Sequence, residues 1–160
     1  MTTLNEINVT METESRLKNL ILSTEDDNKL VFLRLIIGLI FIIEGILKFL
    51  YIEAYGPSFF DEIGFTYAFF WAYFTGAFEI CCGLLVLIGL FTRIASIPLL
   101  IIMISAFFTT KLSLLTNRGF WTFAHEYRLE FSLTVLLVLL IIYGGGRWSA
   151  DLKILKSRKN

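Results

Sequence analysis

The sequence is short of charge, histidine and cysteine, and each shortage closes off a class of function. Charged residues make up 18% of the 160 residues and hydrophobic ones 56%, against about 25% and roughly 45–50% in soluble proteins. With a mean hydropathy of +0.73, no soluble surface could be covered this way. Fourteen Lys and Arg balance fourteen Asp and Glu, and no basic run interleaves with aromatics, so the electrostatic footprint of a nucleic-acid binder is missing. The two cysteines, Cys81 and Cys82, are adjacent within an apolar run. On a helix they point about 100° apart, which excludes a disulfide framework and leaves them as small apolar packing residues. The single histidine, His125, fits no metal-ligand template, and haem would lack a second axial ligand. No metal and no covalently bound cofactor is expected. Residues 1–29 carry six acidic and three basic side chains and no apolar core of a signal peptide. They read as a polar cytoplasmic segment.

What the chain does have is apolar stretches of bilayer length, at about 30–50, 66–90, 94–110 and 124–143. Hydrocarbon offers backbone groups no hydrogen-bond partner, and nothing here alternates as barrel strands do, so each stretch is expected to be a helix. The fold class is therefore all-α, an integral membrane four-helix bundle over residues 30–146. Gly144-Gly145-Gly146 ends the last helix. This triplet is no phosphate loop, since the lysine and hydroxyl of such a loop are missing. A basic cytoplasmic tail, 147–160, follows. Lys and Arg set orientation through the positive-inside rule. Ten of them, including Arg34, Arg93, Arg147, Lys153 and Lys156, fall on the side of the two ends. Four, Lys48, Lys111, Arg118 and Arg128, fall on the other. Both termini are thus expected in the cytoplasm and the two longer loops outside.

Ionisable groups at membrane depth cost about 2.5–3.5 kcal/mol each on insertion scales, so they face the bundle interior and are functional candidates. Glu79 sits mid-helix with Thr75, Gly76, Cys82 and Gly83 on its face, a small-residue surface that lets another helix approach. It reads either as a functional acid or as a structural interhelical hydrogen-bond donor. Glu44 and Lys48 are spaced for an i, i+4 ion pair, and equally for an interfacial anchor. The densest signal is Ala124-His125-Glu126-Tyr127-Arg128-Leu129-Glu130. A helical wheel turns His125, Glu126 and Glu130 inward with Arg128 at the edge, and sends Tyr127 and Phe131 to lipid. Glu44, Lys48, Lys111, His125, Glu126, Arg128 and Glu130 all fall in the outer third and could line one polar pocket, with Glu79 deeper. That pocket would suit a quinone head group or a small anionic ligand.

Three stretches resemble the DoxX family of small bacterial membrane proteins. Arg34-Leu35-Ile36-Ile37-Gly38-Leu39-Ile40-Phe41 with Gly45 and Lys48 is similar to its opening helix. Glu79-Ile80-Cys81-Cys82-Gly83-Leu84-Leu85 through Gly89-Leu90-Phe91-Thr92-Arg93 matches its Glu-x-x-x-Gly-x-Leu-Leu-x-x-Gly-x-x-Thr-Arg pattern. Gly119-Phe120-Trp121 running into Ala124–Phe131 resembles one subgroup's fourth-helix entry, and Gly144–Asp151 its usual ending. The resemblance spans about residues 31–152 and implies a four-helix protein of the bacterial inner (plasma) membrane. It also implies an association with quinone-linked sulfur oxidation, as the membrane subunit of a thiosulfate:quinone oxidoreductase, or with complexes handling oxidative and thiol stress. It supplies no catalytic set. The competing reading is a non-enzymatic membrane partner or chaperone-like subunit, working with other proteins or as a homo-oligomer, whose charged cluster is a structural latch.

Overall fold

In a computed structural model the described residues are 28–51, 64 and 66–157, the side chains of 110–114 excepted. The segment 1–27, most of the loop 52–65 and the last three residues lie outside the description. All regular structure among the described residues is helical: α1 Asn28–Leu50, α2 Ala68–Ile88, α3 Thr92–Ala106, a π-helical stretch Phe107–Lys111, α4 Leu112–Arg118, α5 Phe120–Tyr143 and α6 Ala150–Ser157.

Three spans, Asn28–Leu50, Ala68–Ile88 and Thr92–Thr109, have the length and apolarity to cross a membrane. The fourth long helix, α5, has 24 residues but carries Glu126, Arg128 and Glu130 in its first half.

The four long helices pack in a ring, α1 on α2, α2 on α3, α3 on α5 and α5 on α1. Their shared core is Ile37 and Phe41, Cys82 and Val86, Ala95 and Leu99, with Leu133, Leu137 and Leu140. Within each helix these positions recur every three, four or seven residues, the spacing of one helical face. Most other large apolar side chains point outward, Phe32, Ile36, Phe69, Ile101, Phe131 and Ile142 among them, as lipid-facing side chains should.

Lipid is as apolar as leucine, so what holds helices together in a bilayer is close packing. The α1–α2 contact is built for this on two glycine pairs. A Cβ on Gly45 would fall 2.7 Å from the Gly76 carbonyl oxygen, and one on Gly38 would fall 2.9 Å from that of Gly83. The pairs are seven residues apart on both helices and match in antiparallel sense, the repeat of a left-handed crossing.

Two boundaries differ from the sequence expectation. Residues 111–123 are expected as a connection, yet the chain stays helical to Arg118, breaks only at Gly119 (φ +82) and resumes at Phe120. The fourth helix therefore starts about one turn early, and His125 lies inside it. The third helix widens into π geometry at Phe107, just after Ser105 and before Thr109 bend their hydroxyls onto the carbonyls of Ile101 and Ser105, each at 2.8 Å. Such back-bonding competes with the regular helical ladder.

Candidate functional site

The site is built from the α1–α2 seam upward. Gly76 and Gly83 strip side chains from the α2 face on either side of Glu79, so α1 lies against the helix there and closes over the carboxyl. Lys48, two residues from the end of α1, reaches across the seam, and its Nζ donates to Glu79 Oε2 in a direct ion pair. The Glu79 side chain is 2% exposed and that of Lys48 18%. The acid is thus sealed in while the ammonium group sits at the rim. Glu44 is one turn before Lys48 on α1 and half-buried. One cation beside two carboxylates, in a medium that penalises isolated charge, is a candidate for function. Thr75, on the same face of α2, donates its hydroxyl to the Trp71 and Ala72 carbonyls at 2.8 and 3.1 Å, so it satisfies its own helix.

The expected i, i+4 pair of Glu44 with Lys48 gives way to a pair between helices. The tight crossing brings Glu79 within reach of Lys48, and a carboxylate buried on α2 without a cation would be far costlier than a half-exposed Glu44.

On α5 the wheel expectation is corrected for Tyr127, His125 and Glu126, while Phe131 does face outward. Tyr127 turns inward and packs on Phe107 and Phe123, with ring centroids at 5.0 and 5.3 Å. His125, Glu126 and Arg128 are exposed and Glu130 is half-buried. An aromatic stack spanning α3 and α5 sets this rotation: Phe123, Tyr127 and Phe131 form a ladder at i, i+4 spacing, and docking it on Phe107 carries the charged face outward. His125 Nδ1 and Arg128 Nη1 lie 3.1 Å apart. The candidates therefore fall into two sets, Glu44, Lys48 and Glu79 on the α1–α2 seam and His125, Glu126, Arg128 and Glu130 on α5. The Lys111 side chain lies outside the described residues. Among the described residues no three metal-ligating side chains gather.

A second polar assembly, at the other end of the bundle, escaped the sequence reading. Asp151 is buried and caps the start of α3: its carboxylate accepts the N–H of Phe91 at 2.7 Å and both the N–H and hydroxyl of Thr92 at 3.0 and 3.1 Å. Its own N–H donates to the Gly89 carbonyl at 3.0 Å. Arg34, counted in the sequence among the charges on the side of the two ends, is 4% exposed and donates to the Gly145 carbonyl at 2.9 Å. Gly89 turns left-handed (φ +76), and a Cβ there would strike the Arg34 guanidinium at 2.2 Å. Arg93 donates to the Ile142 carbonyl at 2.7 Å. These contacts clamp the start of α1, the α2–α3 turn, the end of α5 and the start of α6 into one knot. The available signal was the lone acid, Asp151, in an otherwise basic tail.

The DoxX family model matches residues 29–112, which takes in Glu44, Lys48 and Glu79 and stops short of α5. Over 142 residues, 85% of this chain and 87% of the relative, the sequence is 42% identical to "Uncharacterized membrane protein Rv3486" of Mycobacterium tuberculosis. Over 130 residues, 81% of this chain and 90% of the relative, it is 31% identical to "Putative oxidoreductase CatD" of Bacillus subtilis. No solved structure matches the chain.

Proposed function

The chain belongs to the DoxX family of membrane proteins, and on that premise we propose that its Lys48–Glu79 pair, with Glu44, is the polar end of a quinone site in the membrane part of an oxidoreductase system. The observation that carries this reading is the pair itself, a sealed carboxyl whose partner ammonium is partly accessible from the rim of the bundle. Lys48 could donate to a quinone carbonyl oxygen while Glu79 and Glu44 hold or release protons beside it. Reducing a quinone to a quinol takes two electrons and two protons. In this reading the electrons come from a partner subunit that oxidises a reduced sulfur compound or thiol, and the protons pass through the two carboxyls. The name of the CatD relative agrees with an oxidoreductase setting. In this reading the protein sits in the bacterial inner membrane, with α5 as a fourth crossing and both ends in the cytoplasm.

A second reading has its own support. A salt bridge over a glycine-packed seam is a good structural latch, and a non-enzymatic partner subunit would need nothing more. A thermal-shift screen of the detergent-purified protein against quinones, thiosulfate and sulfite separates the two, run on the wild type, Lys48→Gln, Glu79→Gln and the exchanged Lys48→Glu/Glu79→Lys. A site ligand at a hundred times its dissociation constant adds about 2.7 kcal/mol of stability. The quinone reading expects stabilisation by a quinone that all three variants lose, the exchanged one included. If no compound shifts the wild type, both single variants melt early and the exchanged pair recovers, the pair is a latch.

A further inference from the structure

The basic tail is not a loose string of charges. The Asp151 cap pins α6 to the α2–α3 turn, and Ser149, fully buried, accepts the Leu152 N–H at 3.1 Å. On this fixed platform Arg147, Trp148, Ser149, Leu152, Lys153 and Lys156 line a cavity of about 510 Å³. Three of these six are cations and none is an acid. The only acid between Gly144 and Ser157 is Asp151, which is turned inward and engaged as the cap. Lys153 and Lys156, three residues apart, share an exposed face of α6, while Leu152, Ile154 and Leu155 are half-buried. Trp148 stands 76% exposed beside them. A tryptophan next to a membrane helix end, with cations around it, is the composition of the headgroup level of a bilayer.

We propose that this cavity is a binding site for the phosphate of an anionic phospholipid from the leaflet on the side of the chain's ends. Arg147, Lys153 and Lys156 surround the phosphate, and Trp148 lies along the glycerol and upper acyl region. A lipid rather than a free phosphate is favoured because Trp148 and Leu152 give the cavity an apolar wall beside its charged one, which a free anion would not use. The proposal stands independently of the quinone reading, since the two sites lie at opposite ends of α1. Fourteen residues separate Arg34 from Lys48, roughly 21 Å along the axis.

The test is binding to nanodiscs and thermal stability in detergent, with phosphatidylglycerol, phosphatidylcholine or inorganic phosphate added to the full-length protein. Phosphatidylglycerol should stabilise the wild type, and the other two should not. Each cation near an anionic surface contributes about fivefold in affinity, so Arg147→Gln/Lys153→Gln/Lys156→Gln should weaken phosphatidylglycerol binding on the order of a hundredfold. These side chains are exposed and the Asp151 cap is left in place, so the variant should still fold in phosphatidylcholine. Should it fold poorly, salt decides on the wild type: the phosphatidylglycerol effect should collapse between low and high sodium chloride. Equal stabilisation by both lipids, or salt-insensitive binding, overturns the proposal. Stabilisation by inorganic phosphate to the same extent would reassign the cavity to a free anion, which overturns it too.

Discussion

Asp151 shows how much one carboxylate can organise. Its oxygens accept three hydrogen bonds, two from backbone N–H groups at the start of α3 and one from a buried hydroxyl. An acceptor at a helix N-terminus satisfies donors that no helical carbonyl can reach and opposes the positive end of the helix dipole. Here the cap also joins α6 to the bundle. Asp151→Ala would leave those donors buried without an acceptor, at about 1–3 kcal/mol each. The expected loss is roughly 2–4 kcal/mol after relaxation, measured as unfolding in a detergent–denaturant titration. Asp151→Asn, which keeps an oxygen acceptor but loses the charge, should fall between the variant and the wild type. If Asp151→Ala melts like the wild type, the cap contributes nothing and α6 is held by other contacts. The same residue marks a limit of sequence reading. A lone acid in a basic tail looks like a solvated charge, and only the fold brings the turn 59 residues earlier in the chain under its oxygens. The burial of Arg34 was hidden for the same reason, because its partner is a backbone carbonyl 111 residues away. Glu79 was readable as inward-facing because its glycine neighbours lie within one helical turn, although its partner Lys48 was not.

At the scale of elements, the α1–α2 seam is the tightest in the molecule. Its four glycines let the two backbones approach to where a Cβ would collide with a carbonyl. A side chain at Gly45 must therefore push α2 away rather than fill space. Gly45→Leu should separate the helices near Lys48 and Glu79, breaking their ion pair as well as the packing. Overpacking a close seam costs about 1–3 kcal/mol, and stranding one buried charge about 3–5 kcal/mol in water-soluble proteins. The variant should then lose several kcal/mol in thermal or denaturant unfolding. Ile46→Leu, at the next residue along and on the exposed side of α1, serves as a control and should lose far less. A Gly45→Leu protein as stable as the wild type would mean that the seam is looser than the distances state. Only the α2 side of this contact was legible, because Gly76 and Gly83 flank Glu79 on one helical face; that Gly45 and Gly38 of α1 meet them is seen only in the fold. The rotation of α5 was not legible. A helical wheel places every charged residue inward with equal ease, and it took Phe107, on a different helix, to choose the aromatic face instead. The early start of α5 was hidden for a related reason: Phe120 to Phe123 look like a polar-aromatic connection until Gly119 is known to be the only break.

For the whole molecule the open quantity is the number of crossings, and the clamp at the Arg34 end constrains it. Arg34 near the start of α1, Gly89 after α2, Thr92 at the start of α3 and Gly145 after α5 meet in one place. Four long helices that gather their ends this way run alternately up and down, so the start of α5 must lie at the Lys48 end of the bundle. At 24 residues, α5 is about 36 Å long, enough for a hydrocarbon core of about 30 Å. Its charged first turns would then sit at the outer interface, where Glu126, Arg128 and His125 can meet headgroups and water instead of hydrocarbon. By the positive-inside rule, the excess of Lys and Arg at the clamped end would put that end in the cytoplasm. Topology reporters test this directly in a bacterial host. Alkaline phosphatase fused after Asn117, in the segment between α3 and α5, should be active because it folds only outside the cytoplasm. The same enzyme fused after Ser157 should be inactive, and green fluorescent protein fused there should fluoresce. If instead phosphatase is active at both positions, α5 does not cross and lies along the outer surface, and the clamp joining Gly145 to Arg34 could not form in the membrane. An active fusion only after Ser157 would invert the bundle, which would move the cationic α6 cavity to the opposite leaflet.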